Sequence, residues 1–285
     1  MENVLEIKNV SKHYEGFDLK NINLKLPKGT IMGLIGENGA GKSTTIKAIL
    51  NCINQYEGEI KIFGLDNQKE EKTIKEEIGV VLDDSFLSEY LNANDVNRIM
   101  KNIYKNWDEK QYFDYIENFR LPKNKIIKQF SSGMKMKLKI ATAISHHPKL
   151  LILDEPTSGL DPIARNDILD IFQEFIQEEE NSILVSSHIT SDLEHIADYI
   201  TFISEGEIIF TKTRDELLEN YGIVKCSEET LQKIEPKDFI KYKRNRYECD
   251  ILVENKVAFK KKYEIEIIDK PTIEDIMLIY SKGEK

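Results

Sequence analysis

Apolar positions in the first part of the chain fall in short runs separated by turn residues. Residues 5–10, 19–26 and 30–35 are rich in Ile, Leu and Val and are bounded by Gly, Pro or Asn, which predicts three strands. From Asp95 to Ser145 these signals vanish, and Tyr112, Phe113, Ile116 and Phe119 recur at helical spacing, predicting a helical insertion. Trp107 reads as an anchor at a helix start. Residues 149–153 and Ser182–Ser187 are strands apolar enough to be buried on both faces. Between them a helix is predicted to begin at Asp161-Pro162, a capping carboxylate followed by a proline whose missing N–H costs nothing there. Strand, helix, strand in this order requires a parallel sheet, so the fold class is α/β. A hairpin about Glu205-Gly206 and a short helix ending at Tyr221 follow.

Beyond Tyr221 the character changes. Residues 247–253 and 263–268 partly alternate, as half-buried antiparallel strands do, and Pro271 precedes a helical pattern over 273–280. Residues 222–285 hold 14 Lys/Arg and 13 Asp/Glu, whereas the whole chain of 285 residues carries 40 against 50, a net charge of −10. This shift divides the chain into a first unit, 1–221, with a helical part at about 94–147, and a small α+β accessory unit, 222–285. An acidic chain does not suit a scaffold that neutralises many nucleic-acid phosphates, and no nucleic-acid partner is expected. With 40% hydrophobic and 32% charged residues the composition is that of a folded, charged protein. No apolar run approaches the ~18 residues of a membrane-spanning helix. Glu2 and Glu6 stand where a secretory signal would be basic and then apolar. Three widely spaced cysteines suit a reducing cytoplasm better than a disulfide framework.

The strongest chemical signal is Gly36-Glu37-Asn38-Gly39-Ala40-Gly41-Lys42-Ser43, which fits G-x-x-x-x-G-K-[ST] between a predicted strand and a helix predicted over 44–51. Chance would place the pattern somewhere in a chain of this composition at roughly the 1% level. Glycines let the backbone fold around a polyphosphate, and the helix start presents its positive end to the same anion. Gly36, Asn38, Gly39, Gly41, Lys42, Ser43 and Thr44 are the candidate cradle, with Lys42 for the β and γ phosphates and Ser43 for Mg²⁺. Such a site needs a metal-holding carboxylate and a group that activates water. Residues 150–156, Leu-Leu-Ile-Leu-Asp-Glu-Pro, supply both: a buried strand delivers Asp154 to the sheet edge where ligands of α/β folds bind, and Glu155 follows as candidate base. Taken alone, a strand ending in acids is an ordinary strand end; beside the loop it reads as part of one site.

With these residues in place the sequence resembles an ABC-family ATPase. Phe130-Ser131-Ser132-Gly133-Met134 stands where that family has its L-S-G-G-Q signature, Ser158-Gly159-Leu160-Asp161 resembles its D-loop, and Ser186-Ser187-His188 its switch histidine. Tyr14 lies where the family places an aromatic ring against adenine. The motifs run in the family's order over about residues 2–215. The resemblance implies a P-loop NTPase fold with helical and antiparallel β subdomains, ATP and Mg²⁺ as cofactors, and two ATPase subunits, identical or not, closing head to tail. Ser131 and Gly133 of one copy would then meet the γ-phosphate held by Lys42 of the other. Glu155 would polarise the attacking water and His188 would contact the γ-phosphate. Asp83 and Asp84 stand where the family usually has glutamine; Asp83 is a further candidate contact to Mg²⁺ through water, although a carboxylate cannot donate as an amide does.

An ATPase without a membrane span implies separate transmembrane permease subunits, docked at residues 83–94 and the helices after Asp95, on the cytoplasmic face of the membrane. Pro27-Lys28-Gly29, the run Ile78-Gly79-Val80-Val81-Leu82 and the hairpin-helix ending look similar to bacterial exporters of drugs, bacteriocins and amphipathic peptide toxins. Rival readings are a soluble ATPase that remodels a nucleic-acid complex and a binding-only sensor whose altered signature has ended turnover. Basic runs at 241–246 and 260–262 read as solvated faces, with anionic lipid, the partner subunit or an acidic cargo as alternatives.

Overall fold

The computed structural model describes residues 2–53, 55–82, 87–246 and 248–285. Its centre is a six-stranded sheet. Four strands, β3 (Ile31–Ile35), β8 (Ser182–Ser187), β7 (Leu150–Asp154) and β6 (Ile78–Val81), lie side by side in parallel; β9 (Tyr199–Ser204) pairs parallel to the other edge of β3, and β10 (Glu207–Thr213) antiparallel to β9. All residues of β3, β7 and β8 are buried. Because strand side chains alternate, these runs feed two cores at once. Ile31, Ile35, Leu151, Leu153, Ile183 and Val185 face one; Met32, Leu34, Leu150, Ile152 and Leu184 face the other.

The second core is closed by a four-stranded antiparallel sheet, β2 (Phe17–Pro27), β1 (Asn3–Tyr14), β4 (Glu57–Ile62) and β5 (Leu65–Asp66), and by helix α1 (Lys42–Ile49). Helix α2 (Glu71–Glu77) leads into β6. The helical stretch read from the sequence is α3 (Ala93–Ile103), α4 (Glu109–Asn118) and α5 (Ser132–Ile144), packed about their own core. Tyr112 and Ile116 are fully buried there, and the Tyr112 hydroxyl donates to the Ala93 carbonyl at 3.0 Å. Trp107 donates to Asn97 Oδ1 at 2.8 Å just before Asp108 caps α4. His146, after α5, is buried: it stacks on Tyr104 with ring centroids 3.9 Å apart, and its Nε2 donates to the Ile78 carbonyl at 3.0 Å. It thereby ties the helical part to β6, and burial pushes its pKa down to about 4.

Helices α6 (Pro162–Phe175) and α7 (Thr190–Ile196) cover the first core, with Asp161 capping α6 through the N–H groups of Ile163 and Ala164, as its sequence predicts. Helix α8 (Arg214–Asn220) follows β10. Residues 222–285 form a three-stranded antiparallel sheet, β11 (Gly222–Cys226), β13 (Cys249–Val253) and β12 (Lys241–Arg244), with α9 (Glu228–Leu231), α10 (Lys256–Tyr263) and α11 (Ile273–Lys282). The strand expected over 263–268 is absent: Asn255 caps a helix at Ala258 instead, and α10 runs through Tyr263. This segment has a small core of its own, but α11 leaves it. Ile273, Ile276 and Ile279 are buried in the first core, and Tyr280 packs on Phe202 and Phe210.

The basic runs are largely paired within this segment. Arg244 meets Glu228 and Glu284, Lys262 meets Glu235 and Asp238, and Lys241 donates to the Tyr280 carbonyl. They read as a solvated, salt-bridged face. Among the described residues no helix is long and apolar enough to cross a membrane.

Candidate functional site

The loop between β3 and α1 folds over the carboxyl end of the central sheet. Two of its glycines are dictated by space. A side chain at Gly36 would meet the Ile203 carbonyl at 2.3 Å; Gly41 has φ +115°, and a β-carbon there would meet Phe17, Leu19 and Ile203 at 3.1 Å. The loop and its neighbours line a cavity of about 660 Å³, with Gly39, Gly41, Lys42, Ser43 and Thr44 on one side and Glu155, Ser158 and His188 opposite. Glu37, Asn38, Gly16 and Phe17 complete its wall. Gly36 itself is buried beneath the loop.

Lys42 is 6% exposed, and its ammonium is held from three directions. It donates to the Gly36 carbonyl at 2.8 Å and to the Glu37 carbonyl at 3.4 Å, and it pairs with Glu155 Oε1 at 3.3 Å. A buried ammonium left alone would be costly, so this ring of acceptors is what lets it stand at the cavity floor. Each contact is also exchangeable for a phosphate oxygen. Ser43 is exposed at the first turn of α1.

Glu155 sits in the left-handed region, φ +50°, uncommon for a residue with a side chain and costing on the order of 1 kcal/mol or more. Its N–H donates to Ser186 Oγ at 3.0 Å, which fixes that conformation from the neighbouring strand end. The same Ser186 hydroxyl donates to Asp154 Oδ1 at 2.5 Å, so one residue of β8 orients both acids. The other Glu155 oxygen accepts from His188 Nδ1 at 2.6 Å and from the His188 N–H at 3.2 Å. A carboxylate only accepts, so Nδ1 carries the proton in this pair, leaving Nε2 as the second ring nitrogen. Lys42, Glu155 and His188 therefore form one continuous chain of charge-assisted contacts.

The structure thus gathers Gly39, Gly41, Lys42, Ser43, Thr44, Asn38, Glu155 and His188 at one cavity, with Asp154 buried behind them. Ser131 and Gly133 stand elsewhere, at the start of α5. Ser131 is exposed and caps the helix through the Met134 N–H at 3.2 Å; Gly133 lies close to α6, where a side chain would meet Ala164 Cβ at 3.1 Å. Neither lines the cavity. Tyr14 is half-buried at the hairpin between β1 and β2, with the Lys12 ammonium 5.4 Å from its ring centre, and is not in the wall; its cross-strand partner Phe17 is. Asp83 lies outside the described residues, as does Asp84.

Sequence reasoning missed Phe17, Ser158 as a wall residue, and Ser186 as the residue that orients the acids. A hydroxyl one position before Ser187-His188, opposite a strand ending in Asp-Glu, was the available signal for Ser186.

A model of the ABC transporter family matches residues 19–158. Among similar proteins are the lantibiotic transport ATP-binding protein SrtF of Streptococcus pyogenes, 37% identical over 215 residues that cover 74% of this chain and 92% of SrtF. The bacitracin transport ATP-binding protein BcrA of Enterococcus faecalis is 36% identical over 214 residues, 73% and 69% of the two chains. Among solved structures, the ATP-binding subunit of an ABC transporter aligns with a TM-score of 0.68 at 30% identity, covering 75% of this chain and 91% of that one. A dimeric ATP-binding cassette in a post-hydrolysis state with ADP and phosphate shares the fold, with a TM-score of 0.65 at 23% identity over 74% and 98%.

Proposed function

This chain belongs to the ABC transporter family as an ATP-binding subunit with ATPase activity, and from that premise we propose that it is the motor of an exporter that expels a drug or an amphipathic antimicrobial peptide. Likeness to bacitracin and lantibiotic transport subunits supports the substrate class. The observation that carries the mechanism is the Lys42–Glu155–His188 chain across a cavity floored by the phosphate loop. When a triphosphate enters, its oxygens replace Glu155 and the loop carbonyls around Lys42. Glu155, released, turns to the attacking water, and His188 passes to the γ-phosphate. Ser131 and Gly133, remote from this cavity in one chain, complete it from a second ATPase subunit, identical or not.

The donor set fits Mg²⁺. An exposed serine hydroxyl and a buried, oriented carboxylate offer hard oxygens, and this ion takes one or two protein ligands plus phosphate and water. Ser43 and Asp154 would hold the ion, with Asp83 as an added contact through water; bound there it neutralises phosphate charge. Tyr14 would stack on adenine.

Residues 1–221 would work as the ATPase unit, with its helical part at about 94–147, and 222–285 as an accessory unit. The subunit would sit on the cytoplasmic face of the membrane against transmembrane permease subunits. The docking face would be residues 83–94 with the helices after Asp95, beside a groove of about 740 Å³ bordered by α2, β6 and the end of α3, where Val80, Leu82, Ile103 and Tyr104 stand with Lys72, Lys75, Glu71 and Glu76. Cells lacking the protein are expected to become sensitive to an amphipathic peptide antibiotic, with resistance restored by the wild type and not by Glu155→Gln. Unchanged sensitivity across a panel of such peptides and drugs would overturn the export reading.

A further inference from the structure

The helix that follows the histidine loop is short and starts without a cap of its own. Helix α7 spans seven residues, begins at Thr190 just after His188-Ile189, and has at its N-cap position Ile189, an apolar residue with no side-chain acceptor to offer. Two turns are too few to hold a fixed course alone, so packing decides where α7 and the loop before it lie. One neighbour is β3, where Leu193 presses so closely that a β-carbon at Gly33 would stand 2.7 Å from its Cδ1. The other is α11, from residues 222–285: Leu193, Ile196 and Ala197 share a buried core with Ile273 and Ile276.

One polar bond fixes that packing. Glu194 of α7 accepts, through Oε1, the N–H of Ile273, the first residue of α11, at 2.6 Å. The bond is charge-assisted, and a carboxylate is favoured at the positive end of a helix. Ile273 is fully buried, so its N–H has no water to turn to and is held to this acceptor. Glu194 is not what starts α11. The helix has a complete capping box of its own: Thr272 Oγ1 accepts from the Asp275 N–H at 3.1 Å, and Asp275 accepts from the Thr272 N–H at 3.0 Å. What Glu194 adds is a tie between the two helices.

We propose that Glu194 is a positioning residue through which residues 222–285 hold the His188 loop in place, so that this segment sets the rate of hydrolysis without touching the nucleotide. Glu194 does not line the cavity and acts only through α7. With the tie intact, α7 moves only as α11 moves. With it cut, the loop in front of α7 samples more positions and the reactive one is populated less. The inference rests on His188 acting at the γ-phosphate, as in the proposed function.

The test is MgATP turnover by the full chain carrying Glu194→Ala or Glu194→Gln, with thermal melting and amide hydrogen exchange over residues 187–196. Glu194→Ala should lower kcat about fivefold at an unchanged KM for ATP and speed exchange in 187–196 about tenfold, in a fold that persists well above the assay temperature. Glu194→Gln keeps an oxygen acceptor and should bring both readouts to within about twofold of wild type. In a His188→Ala background Glu194→Ala should lower kcat no further. Wild-type turnover by Glu194→Ala beside an impaired His188→Ala rejects the tie and leaves the site reading standing, and so does a full loss on Glu194→Ala in the His188→Ala background. If His188→Ala itself turns over normally, the site reading fails and the tie falls with it.

Discussion

The two flanks of the proposed nucleotide site are finished to different degrees within one chain. On the Lys42 flank the central charged groups are held in place: Lys42 has three acceptors, Glu155 has both oxygens engaged, and Asp154 is fixed by Ser186. On the Ser131 flank the hydroxyl stands in solvent and does no more than cap α5, and Gly133 is shaped by its neighbour α6. Under the proposed function the first flank is assembled within one chain and the second is completed by the partner subunit, so that one chain would hold phosphate but turnover would need two.

The comparison breaks most sharply at Lys42 and Ser131. Lys42→Ala is expected to lower MgATP affinity by about 100-fold or more, since a buried charge-assisted contact to phosphate is lost, and turnover goes with it. Ser131→Asp should abolish turnover by a similar factor while leaving ATP binding to the isolated chain within about threefold; aspartate caps a helix as well as serine but repels a triphosphate. Calorimetric titration beside a turnover assay separates the two. Equal loss of ATP binding in both variants would contradict the division.

Glu155→Gln sharpens the same contrast. Turnover should fall about 10²–10³-fold, as for loss of a general base, while ADP binds several-fold tighter because Lys42 no longer has an anionic competitor 3.3 Å away. ADP affinity equal to or weaker than wild type would remove that competition from the account.

A smaller effect concerns how the Ser131 flank is attached. His146 is neutral at its buried post between Tyr104 and Ile78, with a pKa near 4 against 6.5 when unfolded. Between those values the unfolded chain takes up the proton and the native one does not, so stability falls as pH drops from about 6.5 toward about 4, by roughly 3 kcal/mol in all. His146→Phe should melt at a lower temperature at pH 7 yet lose less on acidification. A parallel decline in both proteins would place the acid sensitivity elsewhere.

Much of this was legible beforehand because the signals are local. Asp161-Pro162 marks its helix by capping chemistry, the loop from Gly36 to Ser43 declares itself by spacing, and uninterrupted apolar runs found the central strands. What escaped is long-range. Nothing beside Ser186 shows that it serves two acids on another strand, and nothing beside Glu194 or Ile273 shows that they meet. The expected strand at 263–268 failed because Asn255 starts a helix whose lysines read as a charge run rather than as a helical face. The composition change after Tyr221 is real, yet α11 returns its isoleucines to the first core, a contact that no boundary drawn on charge could reveal.

The division of the site is tested most directly by mixing two dead proteins. Lys42→Ala and Ser131→Asp, each inactive alone, are combined in equal amounts and assayed for MgATP turnover. In a head-to-tail pair one of the two sites then joins an intact Lys42 to an intact Ser131, so activity should return in the mixture. A mixture as silent as its components would show that the two flanks do not meet across copies, and the account would fall.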